Sequence, residues 1–115
     1  MSEDQIQAHC YQYFHNTYPN QRGLLFSVPN GGFRNKIEAM KLKATGLVPG
    51  IPDIIYLYKS IPFGIEMKTE TGITSSEQKN IHAVWKANGI KVYICRSLEQ
   101  FKEIIDEIHN TQWHL

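Results

Sequence analysis

Apolar and polar residues follow two different patterns along this chain, one typical of helices and one typical of strands. Apolar residues recur every three or four positions after Ser2, after Thr74 and after Ser97, which predicts three amphipathic helices. A fourth, shorter helix is expected over residues 36–45, before Gly46. Runs rich in β-branched and aromatic residues predict strands. We expect these strands at residues 24–28, 53–58, 63–69 and 90–95.

Short polar signals mark where three of the helices begin. Each is a capping box, in which a Ser or Thr caps the helix and a Gln or Glu three residues later bonds back to it. The pairs are Ser2 with Gln5, Thr74 with Glu77, and Ser97 with Gln100. The elements follow the order α-β-α-β-β-α-β-α, which predicts an α/β fold with a central mixed β-sheet flanked by helices on both faces.

Length and composition limit the class of protein. The chain has 115 residues, of which 42% are hydrophobic and 20% charged, as expected for one globular domain spanning residues 1–115. Cys10 and Cys95 have neither the spacing of metal ligands nor that of a disulfide framework. The sequence shows no signal peptide and no apolar run long enough to cross a membrane. We therefore expect a cytoplasmic protein with no membrane partner and no organic cofactor.

The formal net charge of +1 conceals an uneven distribution along the chain. Residues 21–50 contain five basic residues and one acid, whereas residues 96–115 contain four acids and two basic residues. A basic segment favours binding of a polyanion. The same pattern also occurs on an ordinary solvated helix face, so charge alone leaves both interpretations open.

Three charged residues lie on the predicted hairpin formed by the two middle strands. Asp53 ends the segment Gly50-Ile51-Pro52-Asp53, and Glu66 and Lys68 lie two residues apart on the next strand. Because strand side chains alternate between faces, Glu66 and Lys68 project to the same side. A turn at residues 59–62 would bring Asp53 beside Glu66, where like charges repel unless a cation lies between them. Alternatively, Asp53 caps a turn and Glu66 pairs with Lys68 on a solvent-exposed face.

The order of these motifs resembles the VRR-NUC family of the PD-(D/E)xK nuclease superfamily. The resemblance rests on Glu3, Asn30-Gly31-Gly32, Gly50-Ile51-Pro52-Asp53, Glu66-Met67-Lys68-Thr69 and Gln78, followed by the strand after Gly89. Because the chain holds little beyond this core, it is most similar to the stand-alone, phage-type members. The resemblance implies a restriction-endonuclease-like core and a metal-dependent DNA endonuclease. For small stand-alone members it implies a homodimer that acts on branched DNA such as Holliday junctions, encoded by a bacteriophage.

Residue chemistry and the resemblance together suggest roles at the site. Asp53 and Glu66 supply hard oxygen ligands that suit Mg²⁺, with Mn²⁺ as a substitute. The Met67 backbone carbonyl, between Glu66 and Lys68, is the expected third ligand. Lys68 either acts on the attacking water or holds a phosphate oxygen, and the sequence leaves these alternatives open.

Gln78 and Glu3 are assigned to the site by the resemblance. Gln78 falls in the first turn of the helix after Thr74, where it would hydrogen-bond the water or a phosphate; an ordinary polar first-turn residue is the alternative. Glu3 resembles the helix-borne acid that completes the metal shell, although the helix dipole alone also explains an acid there. The five histidines show no zinc spacing, and surface or half-buried positions suit them.

A second group of residues is expected to contact DNA. Asn30-Gly31-Gly32 is a tight-turn signal that also suits a plain hairpin, but a glycine pair lets backbone amides approach a phosphate. The resemblance places this segment near the substrate, so Asn30 and Arg34 are predicted DNA contacts. Phosphate contacts that do not depend on base sequence are expected from Lys36, Lys41 and Lys43.

The sequence therefore predicts a Mg²⁺-dependent DNA endonuclease. Two cuts placed symmetrically in a junction require two sites, which favours a homodimer. Two alternatives stay open: a non-cleaving or accessory DNA-binding module built on the same fold, and an unrelated α/β domain in which the carboxylates are structural.

Overall fold

The structure is a computed structural model that describes residues 1–29 and 35–111. The elements follow the predicted order, with one 3₁₀ turn at Pro19–Gln21 after the first helix. The helices are α1 (Glu3–Thr17), α2 (Lys36–Ala44), α3 (Ser76–Ala87) and α4 (Leu98–Asn110). The strands are β1 (Leu25–Ser27), β2 (Ile54–Tyr58), β3 (Ile61–Met67) and β4 (Lys91–Cys95). No helix within these two ranges is long and apolar enough to span a membrane.

The four strands form one mixed sheet in the order β1-β2-β3-β4. β1 and β3 each pair antiparallel with β2. A tight turn joins β2 to β3, whereas the connection from β1 to β2 contains α2. β3 and β4 pair in parallel, and the connection between them contains α3, as a parallel crossover requires. The predicted α/β fold with a helix-flanked mixed sheet is therefore confirmed.

The hydrophobic core lies between one face of the sheet and the helices α1 and α4. Buried residues of α4 form the expected apolar stripe, and both cysteines are free and buried in the same layer. The core comprises Ile6, Cys10, Phe14, Leu25, Ile54, Tyr56, Phe63, Ile65, Met67, Cys95, Phe101, Ile104, Ile105 and Ile108. Since strand side chains alternate, Gly64 and Glu66 of β3 project to the opposite face, toward α3.

The turn between β2 and β3 is tighter than the sequence predicts. Only Lys59 and Ser60 separate the strands, and both have positive φ angles, 49° and 71°, as a two-residue hairpin turn requires. β3 therefore starts at Ile61 and includes Pro62, which the sequence analysis assigned to the turn. Pro62 is tolerated because the pairing of β3 with β4 begins only at Phe63, after the residue that lacks an N–H.

The predicted start of α3 is wrong by one residue. The helix is capped by Ser75, whose Oγ accepts a hydrogen bond from the Gln78 backbone N–H at 3.1 Å. Gln78, rather than Glu77, completes the capping box, because its Oε1 accepts from the Ser75 N–H at 3.0 Å. Val84 belongs to the apolar repeat of this helix, yet it is 56% exposed. At the start of α4, Ser97 caps as expected, but the Gln100 side chain bonds the Arg96 N–H instead of closing the box.

Candidate active site

The hairpin brings Asp53 beside Glu66. In the register of β2 and β3, Ile54 lies opposite Ile65, so Asp53 lies one position before the strand and opposite Glu66. Asp53 Oδ2 accepts a hydrogen bond from the Met67 backbone N–H at 2.7 Å. This bond holds the Asp53 carboxyl group against β3, next to the residue that carries the second acid.

The loop before Asp53 is fixed by two close backbone contacts. Gly50 has a φ of +91°, and a Cβ built there would lie 2.5 Å from the Glu77 carbonyl oxygen. Pro52 is fully buried over Gly64, where an added Cβ would lie 2.7 Å from Pro52 Cγ and 3.0 Å from Trp85 Cζ3. Gly50 therefore packs against the first turn of α3 and Pro52 packs against β3, and these two contacts fix the loop between them.

Glu66 and Lys68 are buried, and a single amide connects them. They are only 1% and 6% exposed, which contradicts the alternative of an ion pair on a solvent-exposed face. Gln78 Nε2 donates to Glu66 Oε2 at 2.5 Å, and Gln78 Oε1 accepts from Lys68 Nζ at 2.7 Å. Gln78 thus caps α3 and at the same time joins the buried acid to the buried ammonium group.

The surroundings of Glu66 oppose its negative charge. Burial, the nearby charge of Asp53 and a hydrogen bond with Asp53 raise the pKa of Glu66, which reaches about 8 when all influences are taken together. Lys68 lowers the pKa of Glu66 in partial opposition, and Glu3 at the start of α1 raises it. Asp53, Lys68 and Glu3, which are all expected at the site, are therefore close enough to act electrostatically on the Glu66 carboxyl group.

These residues fit a hard divalent cation. Glu66 Oε1 is buried and has no hydrogen-bond partner among the residues described, as expected of an oxygen that would ligate an ion. Within the described ranges no group of three or more His, Cys, Asp or Glu side chains could hold a metal. An ion here would therefore be held by Asp53 and Glu66 with a backbone oxygen such as that of Met67, and with water, as Mg²⁺ commonly is.

His82, for which the sequence predicts only a surface or half-buried position, lies beside Glu66. Its Nε2 lies 3.8 Å from Glu66 Oε1, and the pKa of the imidazole is lowered by burial and by the charge of Lys68. The sequence contained a signal, because His82 follows Gln78 by four residues and so lies on the same side of α3. Zinc spacing was the wrong test for a histidine that faces a carboxylate from a helix.

Arg96 is a second residue that the sequence gave no reason to single out. Its Nη1 donates to the carbonyl oxygens of Thr69 and Gly72, each at 2.7 Å, and to that of Glu70 at 3.3 Å. These carbonyls belong to the loop that follows Lys68 and leads to α3. Arg96, which directly follows β4, therefore fixes the path of the chain as it leaves the site.

Three of the predicted DNA contacts lie on α2. Lys36, Lys41 and Lys43 are exposed on α2, whose cap is Asn35. Asn30 and Arg34, with the tight-turn signal at residues 30–32, lie outside the described residues. The structure therefore gives the lysines a solvent-accessible helix and leaves the other contacts as predictions.

Comparisons with known proteins agree with this architecture. No family model and no curated protein matches the sequence. Among solved structures, a chain described as "VRR_NUC domain protein" superposes with a TM-score of 0.76 at 18% sequence identity. The match covers 93% of this chain and 87% of the other. The chain therefore has the fold of a VRR-NUC domain.

Proposed function

We propose that this protein is a DNA endonuclease that depends on a divalent metal ion. The observation that carries the proposal is the pair of carboxyl groups, Asp53 and Glu66, held side by side with the buried Lys68. Two carboxylates side by side, one of them buried, are unfavourable by themselves, and a bound cation would remove the repulsion. The likeness in fold to a VRR_NUC domain protein supports the same chemistry.

Each site residue has a role in this proposal. Asp53, Glu66 and the Met67 carbonyl hold Mg²⁺ or Mn²⁺, with Glu3 near enough to add charge. The bound ion would neutralise charge on the phosphate and lower the pKa of a water molecule. Lys68 shares the face of Glu66, so its ammonium group donates to the attacking water or to a phosphate oxygen. Gln78 holds Glu66 and Lys68 in a fixed relation.

DNA is the proposed substrate, with Lys36, Lys41 and Lys43 neutralising phosphates from α2 and with Asn30 and Arg34 as further predicted contacts. Branched DNA is the preferred form in this proposal, and a homodimer is the working unit. The physical reason is that one site cannot make two symmetric cuts, whereas a twofold dimer presents two.

The test is cleavage of labelled four-way junctions, flaps and linear duplexes with Mg²⁺ or Mn²⁺. We expect Glu66→Gln and Lys68→Met to reduce the rate by at least about 100-fold. Glu103→Gln and Lys59→Met, which change exposed residues of the same charge, should cleave as the wild type does. Cleavage that survives both site substitutions would refute the assignment of the site.

Two other results would change the proposal. Binding of DNA in EDTA, with no cleavage in any metal, would instead favour the non-cleaving DNA-binding module. Light scattering that shows only monomer, with and without junction DNA, would refute the dimeric junction-cutting form.

A further inference from the structure

Two buried polar atoms face each other beside the proposed metal site. Glu66 Oε1 and His82 Nε2 are both inaccessible to solvent, and neither has a hydrogen-bond partner among the described residues. They lie 3.8 Å apart, about 1 Å farther than a hydrogen bond would place them. Buried polar atoms are normally paired, so this facing pair calls for a functional reason.

The geometry of α3 supplies that reason. Gln78 and His82 are four residues apart, so both project from one side of the helix toward β3. Gln78 Nε2 already donates to Glu66 Oε2, while His82 Nε2 faces Glu66 Oε1. Two successive turns of α3 therefore present one nitrogen to each oxygen of the same carboxylate.

We propose that His82 is a positioning residue, which holds Glu66 Oε1 through Nε2–H when Glu66 ligates the metal ion. The inference rests on the proposed function, since it concerns the same ion. Carboxylates that ligate a metal are usually fixed by further hydrogen bonds, and these outer partners affect metal affinity. A shift of about 1 Å in the Glu66 or His82 side chain closes the contact to hydrogen-bond length.

Two other roles for His82 fit less well. If His82 only filled space, its Nε2 would be buried without a partner at a cost in free energy. An apolar side chain would fill the same space without that cost. Direct ligation would require His82 to converge with Asp53 and Glu66, yet the described residues include no three-member group of metal-binding side chains. His82 therefore acts through Glu66 and not on the ion itself.

The test compares His82→Phe, which fills a similar volume without a donor, with His82→Gln, which keeps a donor nitrogen at similar reach. Isothermal titration with MgCl₂ and MnCl₂, on full-length protein without DNA, measures metal affinity independently of cleavage. We expect His82→Phe to bind at least about 10-fold more weakly and His82→Gln to stay within about threefold of the wild type. Glu66→Gln, which removes the ligand, defines complete loss of the site.

Each outcome decides between the roles. Equal affinities for the wild type and His82→Phe would overturn the inference, as would equal losses in His82→Phe and His82→Gln. Pulsed electron paramagnetic resonance of bound Mn²⁺ should show no coupling to a directly ligated imidazole nitrogen, and such a coupling would make His82 a ligand instead. Melting curves in EDTA check that His82→Phe folds, and His82→Leu replaces it if it does not. A wild-type protein that binds no metal would refute the proposed function itself.

Discussion

The buried carboxyl group of Glu66 should weaken the metal-free protein, and Glu66→Gln should relieve this effect. The pKa of Glu66 is raised from an ordinary 4.5 to about 8, chiefly by burial and by Asp53. Between these two values the folded state binds more protons than the unfolded state, so the free energy of unfolding falls as pH rises. The stabilising effect of protonation is complete below pH 4.5 and is lost as pH approaches 8.

The size of the effect follows from the pKa shift. One pKa unit corresponds to about 1.4 kcal/mol. Because pH 7 lies about 2.5 units above the ordinary value of 4.5, the free energy of unfolding at pH 7 is about 3 kcal/mol lower than it would be without the shift. Glutamine has the same shape and carries no charge, and its amide oxygen can still accept from Gln78. We therefore expect metal-free Glu66→Gln to unfold with a free energy about 3 kcal/mol higher than the wild type at pH 7. At pH 4.5 the difference should nearly vanish.

Urea unfolding in EDTA, followed by circular dichroism at pH 4.5, 6, 7 and 8, measures this difference. Glu103→Gln, an exposed acid on α4, is the matched control and should follow the wild type at every pH. Mg²⁺ at 100 times the dissociation constant should nearly abolish the difference at pH 7, because it stabilises only the wild type, by about 3 kcal/mol. The reasoning would be wrong if Glu66→Gln and Glu103→Gln showed the same pH dependence in EDTA.

Two further predictions concern the elements that hold the site. Gly50→Ala should lower the free energy of unfolding by about 1–3 kcal/mol more than Gly46→Ala does. Both glycines have positive φ, but of the two only Gly50 would bring a Cβ against the Glu77 backbone. Equal losses in urea titrations would show that this contact is unimportant. Arg96→Lys should lower the free energy of unfolding by about 1–3 kcal/mol and speed hydrogen exchange of the Gly72 amide. The lysine side chain is one bond shorter, so its nitrogen stops short of the position from which Nη1 bonds the three carbonyls. Arg22→Lys, which changes an exposed arginine whose Nε donates to the His15 carbonyl, is its control, and unchanged exchange at Gly72 would contradict the role given to Arg96.

The sequence predicted what depends on neighbouring residues. Period-two alternation placed Glu66 and Lys68 on one face, and a short hairpin placed Asp53 opposite Glu66, because both follow from local strand geometry. The fold class followed from the order of helices and strands, because each of these elements is specified by a local pattern of residues. The site roles of these residues stay predictions until metal binding and cleavage are measured.

The sequence failed where two local solutions competed or where contacts were distant. Thr74 with Glu77 and Ser75 with Gln78 are equally good capping boxes, and the second forms because Gln78 also reaches Glu66 and Lys68. Arg96 lies 24 to 27 residues from the carbonyls it bonds, a distance over which no periodicity carries information. Tertiary contacts decided both cases.

The position of Gln78 at the end of a helix has a consequence for regulation. Helix termini fray more readily than helix interiors, and fraying is a local opening that leaves the rest of the molecule intact. If the first turn of α3 opens, Gln78 loses its hydrogen bonds with Ser75, Glu66 and Lys68 together. The proposed catalytic arrangement would then form and break with one helical turn, at a much smaller free-energy change than global unfolding. DNA or a metal ion that stabilises the closed turn would stabilise this arrangement as well.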